Sequence, residues 1–363
     1  MLKKTAKRII RNKESCEMKN DELFEGLPFL VQPDNVARYE DGKVLILDRR
    51  DYPFKKEFVV CDSYSDVARA VLDMVTQSGG PFYATAWGMV QAAHRIKGAP
   101  TKKQIDVMED AASVLGTARP TNNSILYLAN AMLNVAKETL LKDGDIEAAL
   151  FDYAKELVIK NYSDSSRLGE YAAHLIHDGD GILNHCWAET SIVYTMIHAK
   201  RQGKKIHAYC DETRPYLQGA RLTADAISEI GVPTTVICDS MAGYAMRQGL
   251  IQCFFSGADR VTRSGHVINK VGTFQAALCA HFYGLPYYAF CHGPDPKAFT
   301  DEDVVIEERD PDESLYCLGH RTATANVTGY YPAFDVTPPE LVSAIITQKG
   351  VYSPYNIEDY LNV

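Results

Sequence analysis

The chain has 363 residues, 46% of them hydrophobic, and its 38 basic and 47 acidic residues give a formal net charge of −9. This length and apolar content are enough for one large globular domain or two smaller ones. The negative balance, without a long run of Lys and Arg, argues against nucleic acid as a partner, because phosphate backbones are bound by clustered cations. A small anionic ligand is compatible with the net negative charge if a few cations converge locally.

Two further features of the sequence concern the cell compartment. Nine cysteines show no CxxC pair and no metal-finger spacing, which is typical of reduced, intracellular thiols. No apolar run approaches the ~20 residues needed to span a bilayer, and the basic N-terminus lacks the apolar segment of a signal peptide. We therefore expect a cytoplasmic protein without a membrane partner.

The first half of the chain predicts two short strands followed by helices. Residues 1–35 are polar and mixed in charge, and predict only an appended helix or a loose arm. Apolar runs at 43–47 and 57–61 predict the two strands. Ser65 is a candidate N-cap for a helix at 66–75. Further helical patterns are found at 82–96, 101–115, 121–142, 144–161 and 166–177.

From residue 178 onward, strand patterns alternate with helical ones. The predicted strands are 181–186, 205–210, 234–238, 252–256 and 286–291, and a further apolar run at 303–306 is a sixth candidate. Alternation at this spacing predicts an α/β fold with a parallel sheet. We therefore predict a mainly helical N-terminal domain with a small sheet at 1–177, and a second domain built on the parallel sheet at 178–363.

Reactive side chains follow three of the predicted strands. The strand at 181–186 ends in His185 and Cys186, Asp211 follows the strand at 205–210, and Asp239 follows the strand at 234–238. In an open parallel sheet, ligands bind beyond the carboxyl ends of the strands, where the following helices present free N–H groups. The sequence therefore predicts an active site at this edge of the sheet.

Cys186 and Asp239 each have two interpretations. A cysteine beside a strand is usually a small apolar core residue, and Cys210, Cys238 and Cys291 lie at strand ends as well. A helix N-terminus after Cys186 would instead stabilise its thiolate and make it a usable acid or base. Asp239 is either the N-cap of the following helix or, if buried, a carboxyl whose raised pKa lets it donate a proton.

Two predicted helix starts are candidate anion sites. Arg119 precedes one of them, where its charge opposes the helix dipole unless a phosphate or a neighbouring carboxylate lies there. Asn269 and Lys270 precede another, which adds a lysine to free backbone donors. Neither a GxxxxGK[ST] loop nor a strand-linked GxGxxG is present. The spacing of His174, His177 and His185 does not indicate a metal site, so solvated or capping histidines are the preferred interpretation.

Several segments of the sequence resemble those of the 5-methylthioribose-1-phosphate isomerase family. Its relatives include ribose-1,5-bisphosphate isomerase, 5-deoxyribose-1-phosphate isomerase and the regulatory subunits of the eukaryotic initiation-factor exchange complex. The similarity extends from about residue 44 to residue 354. It is carried by LDRR at 47–50, ARPT at 118–121, NHC at 184–186, DETRPYLQGARLT at 211–223, DSMAGY at 239–244, GADR at 257–260, NKVGT at 269–273, IEER at 306–309 and PAFDVTP at 332–338.

The resemblance implies a fold, a set of site residues and an assembly. The fold is an N-terminal helical domain with a small sheet joined to a Rossmann-like C-terminal domain, and members are usually homodimers. The catalytic pair is Cys186 and Asp239, and no metal or organic cofactor is implied. The residues implied to hold the substrate or its phosphate are Gly79, Gly80, Arg119, Gln218, Asn269 and Lys270.

Three departures from the family pattern concern the substrate. SGGP at 78–81 replaces Arg-Gly-Ala-Pro, so an arginine that would help to bind phosphate is absent. CWAET at 186–190 replaces Cys-Asn-Ala-Gly, and CHGPD at 291–295 replaces Pro-x-Ser-Thr-Ile-Asp. Trp187 is expected either to stack on a sugar or to pack in the space of the missing arginine. Glu189 is expected to accept a proton or to cap a helix.

We therefore expect an aldose–ketose isomerase that converts a C5-substituted ribose 1-phosphate, foremost the 5-methylthioribose 1-phosphate of methionine salvage, to the ribulose 1-phosphate. Asp239 would donate a proton to the ring oxygen and Cys186 would move a proton between C2 and C1, with a hydride shift as the open alternative. Alternative substrates are 5-deoxyribose 1-phosphate and ribose 1,5-bisphosphate, the second disfavoured by Ser78. The alternative class is a non-catalytic sensor subunit that binds a sugar phosphate or a nucleotide.

Overall fold

The computed structural model describes residues 20–119 and 123–362. Its α-helices are α1 (Asn20–Phe24), α2 (Pro33–Val36), α3 (Tyr64–Leu72), α4 (Gly80–Arg95), α5 (Thr101–Gly116), α6 (Asn123–Leu140), α7 (Ile146–Ala173), α8 (Glu189–Arg201), α9 (Ala224–Glu229), α10 (Ala242–Arg247) and α11 (Thr273–Phe282). None of these described helices is long and apolar enough to cross a membrane. Residues 1–19 of the predicted N-terminal arm lie outside the described part.

The β-strands complete the architecture. They are β1 (Ala37–Glu40), β2 (Lys43–Leu47), β3 (Phe58–Cys61), β4 (Gly181–His185), β5 (His207–Asp211), β6 (Thr234–Ile237), β7 (Cys253–Ser256), β8 (Arg260–Val261), β9 (Val267–Lys270), β10 (Tyr287–Phe290), β11 (Tyr316–Cys317), β12 (His320–Arg321), β13 (Phe334–Thr337), β14 (Ala344–Thr347) and β15 (Gly350–Tyr352). The predicted α/β class is confirmed.

The N-terminal part packs helices against a small antiparallel sheet of β1, β2 and β3. The two predicted strands are β2 and β3, and β1 was not predicted. Ser63 rather than Ser65 is the N-cap of α3, because its hydroxyl and the Asp66 carboxylate form a reciprocal capping box. α4 is buried on nearly all sides, which its many alanines and glycines permit.

The prediction of two helices at 144–161 and 166–177 was wrong, because α7 is continuous over 28 residues. The polar run around residue 165 suggested a break. Ser165 and Ser166 are instead buried against α8, where the Ser165 hydroxyl accepts a hydrogen bond from Thr190 at 2.9 Å and Ser166 pairs with the His198 ring at 3.1 Å. Partners on another helix thus satisfy serines that would otherwise favour a turn.

The second part is built on a seven-stranded sheet in the order β15-β14-β10-β7-β4-β5-β6. All neighbours in it are parallel except the edge strand β15, which is antiparallel to β14. β4, β5, β6, β7 and β10 correspond to the five predicted strands. The sixth candidate, at 303–306, was wrong: Asp301–Asp303 form a 3₁₀ turn, and the Val305 side chain is 92% exposed, so its apolar residues do not pack in the sheet.

One continuous core connects the two parts, and the second part also contains a further small sheet. β8, β9 and β13 form an antiparallel sheet in the order β13-β9-β8, and it follows β7 in the chain. One cluster of buried apolar residues extends from α4 and α7 to α8, β4 and β5. The change from helical to alternating patterns occurs near residue 178, but this cluster contains residues from both sides of that position. The division into two domains there therefore stays a prediction.

Candidate active site

A cavity at the carboxyl end of the parallel sheet brings five of the predicted site residues together. We call it the Cys186 cavity. The five predicted residues that line it are Cys186, Arg119, Gln218, Asn269 and Lys270, and the others are Met74, Gln77, Ser78, Trp187, Asp259, Arg309 and Phe334. Residues far apart in the chain, from Met74 to Phe334, thus share one small space. Gly79, Gly80 and Asp239 do not line it.

Cys186 lies in a strained turn at the end of β4. Its φ is +62°, a left-handed conformation that non-glycine residues rarely adopt. Its backbone N–H donates to the Thr213 hydroxyl at 3.0 Å, and the Thr223 hydroxyl donates to its carbonyl. Burial raises the pKa of the thiol to about 12, while the nearby positive charge of Lys270 opposes this rise. Hydrogen bonds thus hold the thiol in place beside a cation.

Asp239 lies behind this turn rather than in the cavity. Its two carboxylate oxygens accept the backbone N–H groups of Thr213 at 2.6 Å and Arg214 at 2.8 Å. Burial raises its pKa, although these two hydrogen bonds favour the charged form. Asp239 does not cap its own 3₁₀ helix, which has Cys238 as its N-cap residue. These hydrogen bonds order the loop that supports Cys186, and a catalytic role for Asp239 stays a prediction.

A buried histidine connects the loops behind Cys186. His185 Nδ1 lies 2.7 Å from Asp211 Oδ2, and its Nε2 lies 3.1 Å from the Val271 carbonyl oxygen. Burial opposes a charge on this ring, but the Asp211 carboxylate outweighs burial and raises its pKa. Ligand atoms of His185, Asp211 and Asp239 lie within 4.8 Å of one another, the spacing of a metal site. Their hydrogen bonds to other protein groups account for the cluster without an ion.

Asp259 is a site residue that sequence reasoning missed. It follows β7 by three residues, lines the cavity with Cys186, and is open to the cavity space. The surrounding protein desolvates its carboxyl and raises its pKa, an effect that the charges of Lys270, Arg119 and Arg309 oppose. Two signals could have found it: the predicted strand that ends just before it, and its place in the family-like GADR segment.

Three cations, Arg119, Lys270 and Arg309, converge on the cavity. Burial lowers the pKa values of Arg119 and Lys270. Burial also opposes the charge of Arg309, but its hydrogen bond to Glu307 at 2.8 Å and the nearby acidic groups together raise its pKa. Arg309 was not predicted, because it lies in an irregular loop, although IEER at 306–309 was among the family-like segments. The three side chains together can bind a phosphate.

The N–H groups of the two predicted glycines have acceptors within the protein, and a role of these glycines in substrate binding stays a prediction. The Gly79 N–H donates to the Glu189 carboxylate at 2.9 Å, and the Gly80 N–H donates to the Gln77 carbonyl oxygen at 3.0 Å. Ser78, the residue that replaces the family arginine, does line the cavity, and its hydroxyl lies 3.4 Å from the Trp187 carbonyl oxygen. These backbone donors therefore have protein acceptors already.

The Cys186 cavity adjoins a larger one. Its own volume is about 60 Å³, and it shares Met74, Arg119 and Arg309 with a neighbouring cavity of about 650 Å³, the outer cavity. The outer cavity is also lined by Arg50, Leu72, Asp73, Ala118, Tyr216, Glu307, Glu308, Asp310 and Glu313. Small-molecule sites usually measure about 300–1,000 Å³. The two cavities together therefore offer enough space for a sugar phosphate.

Known proteins are similar in sequence to most of this chain. Residues 82–354 match the initiation factor 2 subunit family. The methylthioribose-1-phosphate isomerase of Caldicellulosiruptor saccharolyticus is 38% identical over 330 residues, which cover 87% of this chain and 95% of that protein. The methylthioribose-1-phosphate isomerase of Thermosipho africanus is 38% identical over 327 residues, which cover 86% and 93% of the two chains.

Two solved structures share the fold over nearly their whole length. The translation initiation factor eIF-2B subunit delta from A. fulgidus has a TM-score of 0.80 and 32% identity, covering 91% of this chain and 99% of that one. The 5-methylthioribose 1-phosphate isomerase from Pyrococcus horikoshii has a TM-score of 0.78 and 29% identity, covering 95% and 98%. With the extent of the family match, these likenesses show that the chain belongs to the initiation factor 2 subunit family, as its sequence motifs predicted.

Proposed function

We propose that the protein is an aldose–ketose isomerase that converts a C5-substituted ribose 1-phosphate, foremost 5-methylthioribose 1-phosphate, to the corresponding ribulose 1-phosphate. One observation carries the proposal: a thiol, Cys186, and a carboxyl, Asp259, line the same cavity as three cations. An acid–base pair beside a phosphate site is what the isomerisation of a sugar phosphate requires. The relatives named methylthioribose-1-phosphate isomerase support the choice of reaction.

In the proposed reaction, the ring opens before a proton moves. The Asp259 carboxyl, whose pKa desolvation raises, donates a proton to the ring oxygen as the bond from that oxygen to C1 breaks. The Cys186 thiolate removes the proton from C2 of the resulting oxocarbenium ion to give an enol. The thiol then returns this proton to C1, while the C2 hydroxyl gives its proton to the Asp259 carboxylate and becomes a ketone. The positive charge of Lys270 stabilises the thiolate. Atoms balance without an added reactant, so no metal or organic cofactor is proposed.

Other predicted residues have supporting roles in this proposal. Arg119, Lys270 and Arg309 hold the phosphate, and Gln218 and Asn269 contact sugar hydroxyls. The resemblance named Asp239 as the catalytic acid. Both of its oxygens accept N–H groups of the Thr213 loop, which supports a role in ordering that loop. We thus propose Asp259 in the role first given to Asp239, and the two aspartates can be distinguished by substitution.

A panel assay tests the function directly. Purified protein is incubated with 5-methylthioribose, 5-deoxyribose and ribose 1-phosphates and with ribose 1,5-bisphosphate, and phosphorus NMR follows ketose phosphate formation. We expect turnover of at least one 1-phosphate, and its loss in Cys186→Ser, since a positioned acid or base supplies about 10²–10⁴ in rate. Deuterium from solvent at C1 would indicate proton transfer, and its absence a hydride shift. A folded protein that turns over none of these sugars would contradict the proposal.

A sensor is the second candidate function. The observation that favours it is the TM-score of 0.80 to a structure named as a translation initiation factor subunit. A sensor would be stabilised thermally by a sugar phosphate or a nucleotide without converting it. Ligand-dependent thermal shifts without turnover would therefore favour the sensor over the isomerase.

We further propose a homodimer in the cytoplasm. The outer face of α11 exposes Phe274, Leu278 and Phe282, four residues apart on one side of the helix. No Asp, Glu, Lys or Arg occurs in α11, so this stripe brings no charge repulsion against the same stripe of a second copy, despite the net charge of −9. Such a contact would be symmetric and apolar.

A further inference from the structure

Glu189, which is absent from the proposed mechanism, holds an unusual position. It begins α8 just after Cys186, and its side chain is nearly buried. Its Oε1 accepts a hydrogen bond from Arg49 Nη1 at 2.9 Å, and its Oε2 accepts one from the Gly79 N–H at 2.9 Å. Gly79 is the N-cap residue of α4, a helix of 16 residues. A protein carboxylate therefore occupies the positive end of a long helix.

The groups around this carboxylate are those that bind a phosphate. Helix N-termini and arginines are the usual donors to phosphate oxygens. The Arg49 side chain is 0% exposed, and its Nε and Nη2 have no hydrogen-bond partner among the described residues. Arg49 thus has two nitrogen donors without a partner, which indicate an anion site with more donors than the Glu189 carboxylate uses. Glu189 fills only part of it.

The backbone shows that this arrangement is maintained against strain. Glu189 has a φ of +51°, which is unfavourable for a residue with a side chain. A Cβ at Gly79 would overlap Glu189 Oε2, so the close approach of the carboxylate depends on glycine at that position. The ion pair with Arg49 and the hydrogen bond to Gly79 compensate for the strained turn.

The carboxylate lies behind one wall of the Cys186 cavity. Ser78, next to Gly79, and Trp187, two residues before Glu189, both line the cavity and contact each other. The Trp187 indole N–H has no partner among the described residues, so it can donate to a neutral oxygen of a ligand. The cations Arg119 and Lys270 line the same cavity. One anion site is therefore open in the Cys186 cavity, and a second one, at Arg49, is occupied by the Glu189 carboxylate.

We propose that Glu189 is a specificity-determining residue that excludes a second phosphate from the N-terminus of α4. The substrate class is accordingly a sugar monophosphate whose other end is uncharged, and a sugar bisphosphate is refused. This substrate class rests on the proposed isomerase function, whereas the exclusion of an anion by Glu189 does not. Acidic side chains of the outer cavity, among them Asp73 and Glu308, act in the same direction.

Titration with inorganic phosphate tests the exclusion without any activity assay. Isothermal titration calorimetry is carried out on the wild type, Glu189→Gln and Glu189→Gly. We expect one phosphate site in the wild type and two in both variants, or affinity at least about tenfold tighter, since one charge-assisted hydrogen bond supplies such a factor. Glu189→Gly relieves the strain at φ +51°, so it is the second variant to use if Glu189→Gln does not fold.

Two controls separate charge from shape. Arg49→Met combined with Glu189→Gln removes both members of the pair, and should return phosphate binding to the wild-type level. Glu340→Gln removes an exposed carboxylate outside both cavities and should change nothing. If folded Glu189→Gly binds phosphate as the wild type does, the exclusion by Glu189 is wrong.

Activity then tests the substrate class separately. If the wild type isomerises a monophosphate, Glu189→Gly should raise the ratio of kcat/KM for ribose 1,5-bisphosphate over that for 5-deoxyribose 1-phosphate by about tenfold or more. An unchanged ratio would overturn the substrate class while leaving the isomerase in place. Additional phosphate binding in the variants, in a protein that turns over no sugar, would overturn the proposed function and leave Glu189 as an anion-excluding residue.

Discussion

At the scale of single residues, burial shifts the pKa values of the acidic and the basic groups of the Cys186 cavity in opposite directions. It raises the pKa values of Cys186 and Asp259 and lowers those of Lys270 and Arg119, so that it favours the neutral form of every group. A bound phosphate dianion would favour the charged forms of the cations again.

Substitution distinguishes the two aspartates. Asp259→Asn should lower kcat by about 10²–10⁴, because an amide cannot donate the proton that opens the ring. Asp239→Asn should mainly lower stability, by about 1–3 kcal/mol, because one of its two oxygens no longer accepts a loop N–H. Steady-state kinetics and thermal unfolding of both variants measure this. Turnover that survives in Asp259→Asn but not in Asp239→Asn would return the catalytic role to Asp239.

Lys270 should govern the reactivity of Cys186. Its charge lowers the pKa of the thiol, so Lys270→Met should raise that pKa further and reduce the thiolate fraction at any pH below it. We expect slower alkylation of Cys186 by iodoacetamide between pH 8 and pH 10, followed by peptide mass spectrometry. The exposed Cys238 is the internal control, and Lys160→Met is the matched surface variant. Equal rates in Lys270→Met and the wild type would show that the lysine does not act on the thiol.

At the scale of elements, the close packing of α7 on α8 positions the cavity wall. α8 begins at Glu189, three residues after Cys186, so any shift of α8 reaches both side chains. α7 approaches α8 closely at Gly169, where an added Cβ would lie 2.6 Å from the Tyr194 Cβ. The long helix that sequence patterns divided in two is thus one rigid support for the site.

Gly169→Ala should therefore affect both stability and turnover. Overpacking at the α7–α8 contact should lower the free energy of unfolding by about 1–3 kcal/mol and reduce kcat through displacement of the Cys186 turn. Glu156→Ala on the exposed side of the same helix should leave both close to the wild type. Denaturant unfolding and the isomerase assay measure the two effects. Gly169→Ala with wild-type stability would mean that the two helices have room to separate.

At the scale of the whole molecule, the sequence predicted what depends on local patterns or matched segments. Apolar runs predicted β4, β5, β6, β7 and β10 but not the parallel strand β14, and NHC and NKVGT pointed to Cys186 and Lys270. The missed features depend on contacts between distant parts of the chain. Arg309 reaches the cavity from an irregular loop, and Glu189 meets a partner, Arg49, that lies 140 residues away. Two residues this far apart leave no periodic pattern in the sequence, so only the folded chain reveals that Glu189 pairs with Arg49.

Assembly provides the last prediction. If the α11 stripe joins two copies, sedimentation should give twice the mass of one chain, and Leu278→Glu should yield monomers because it would bury two like charges at a symmetric contact. Val305→Glu, a change of the same kind at a fully exposed residue elsewhere, should leave the dimer intact. The cavities are formed within one chain, so a folded Leu278→Glu monomer should still bind inorganic phosphate. A dimer that survives Leu278→Glu would place the contact on another face.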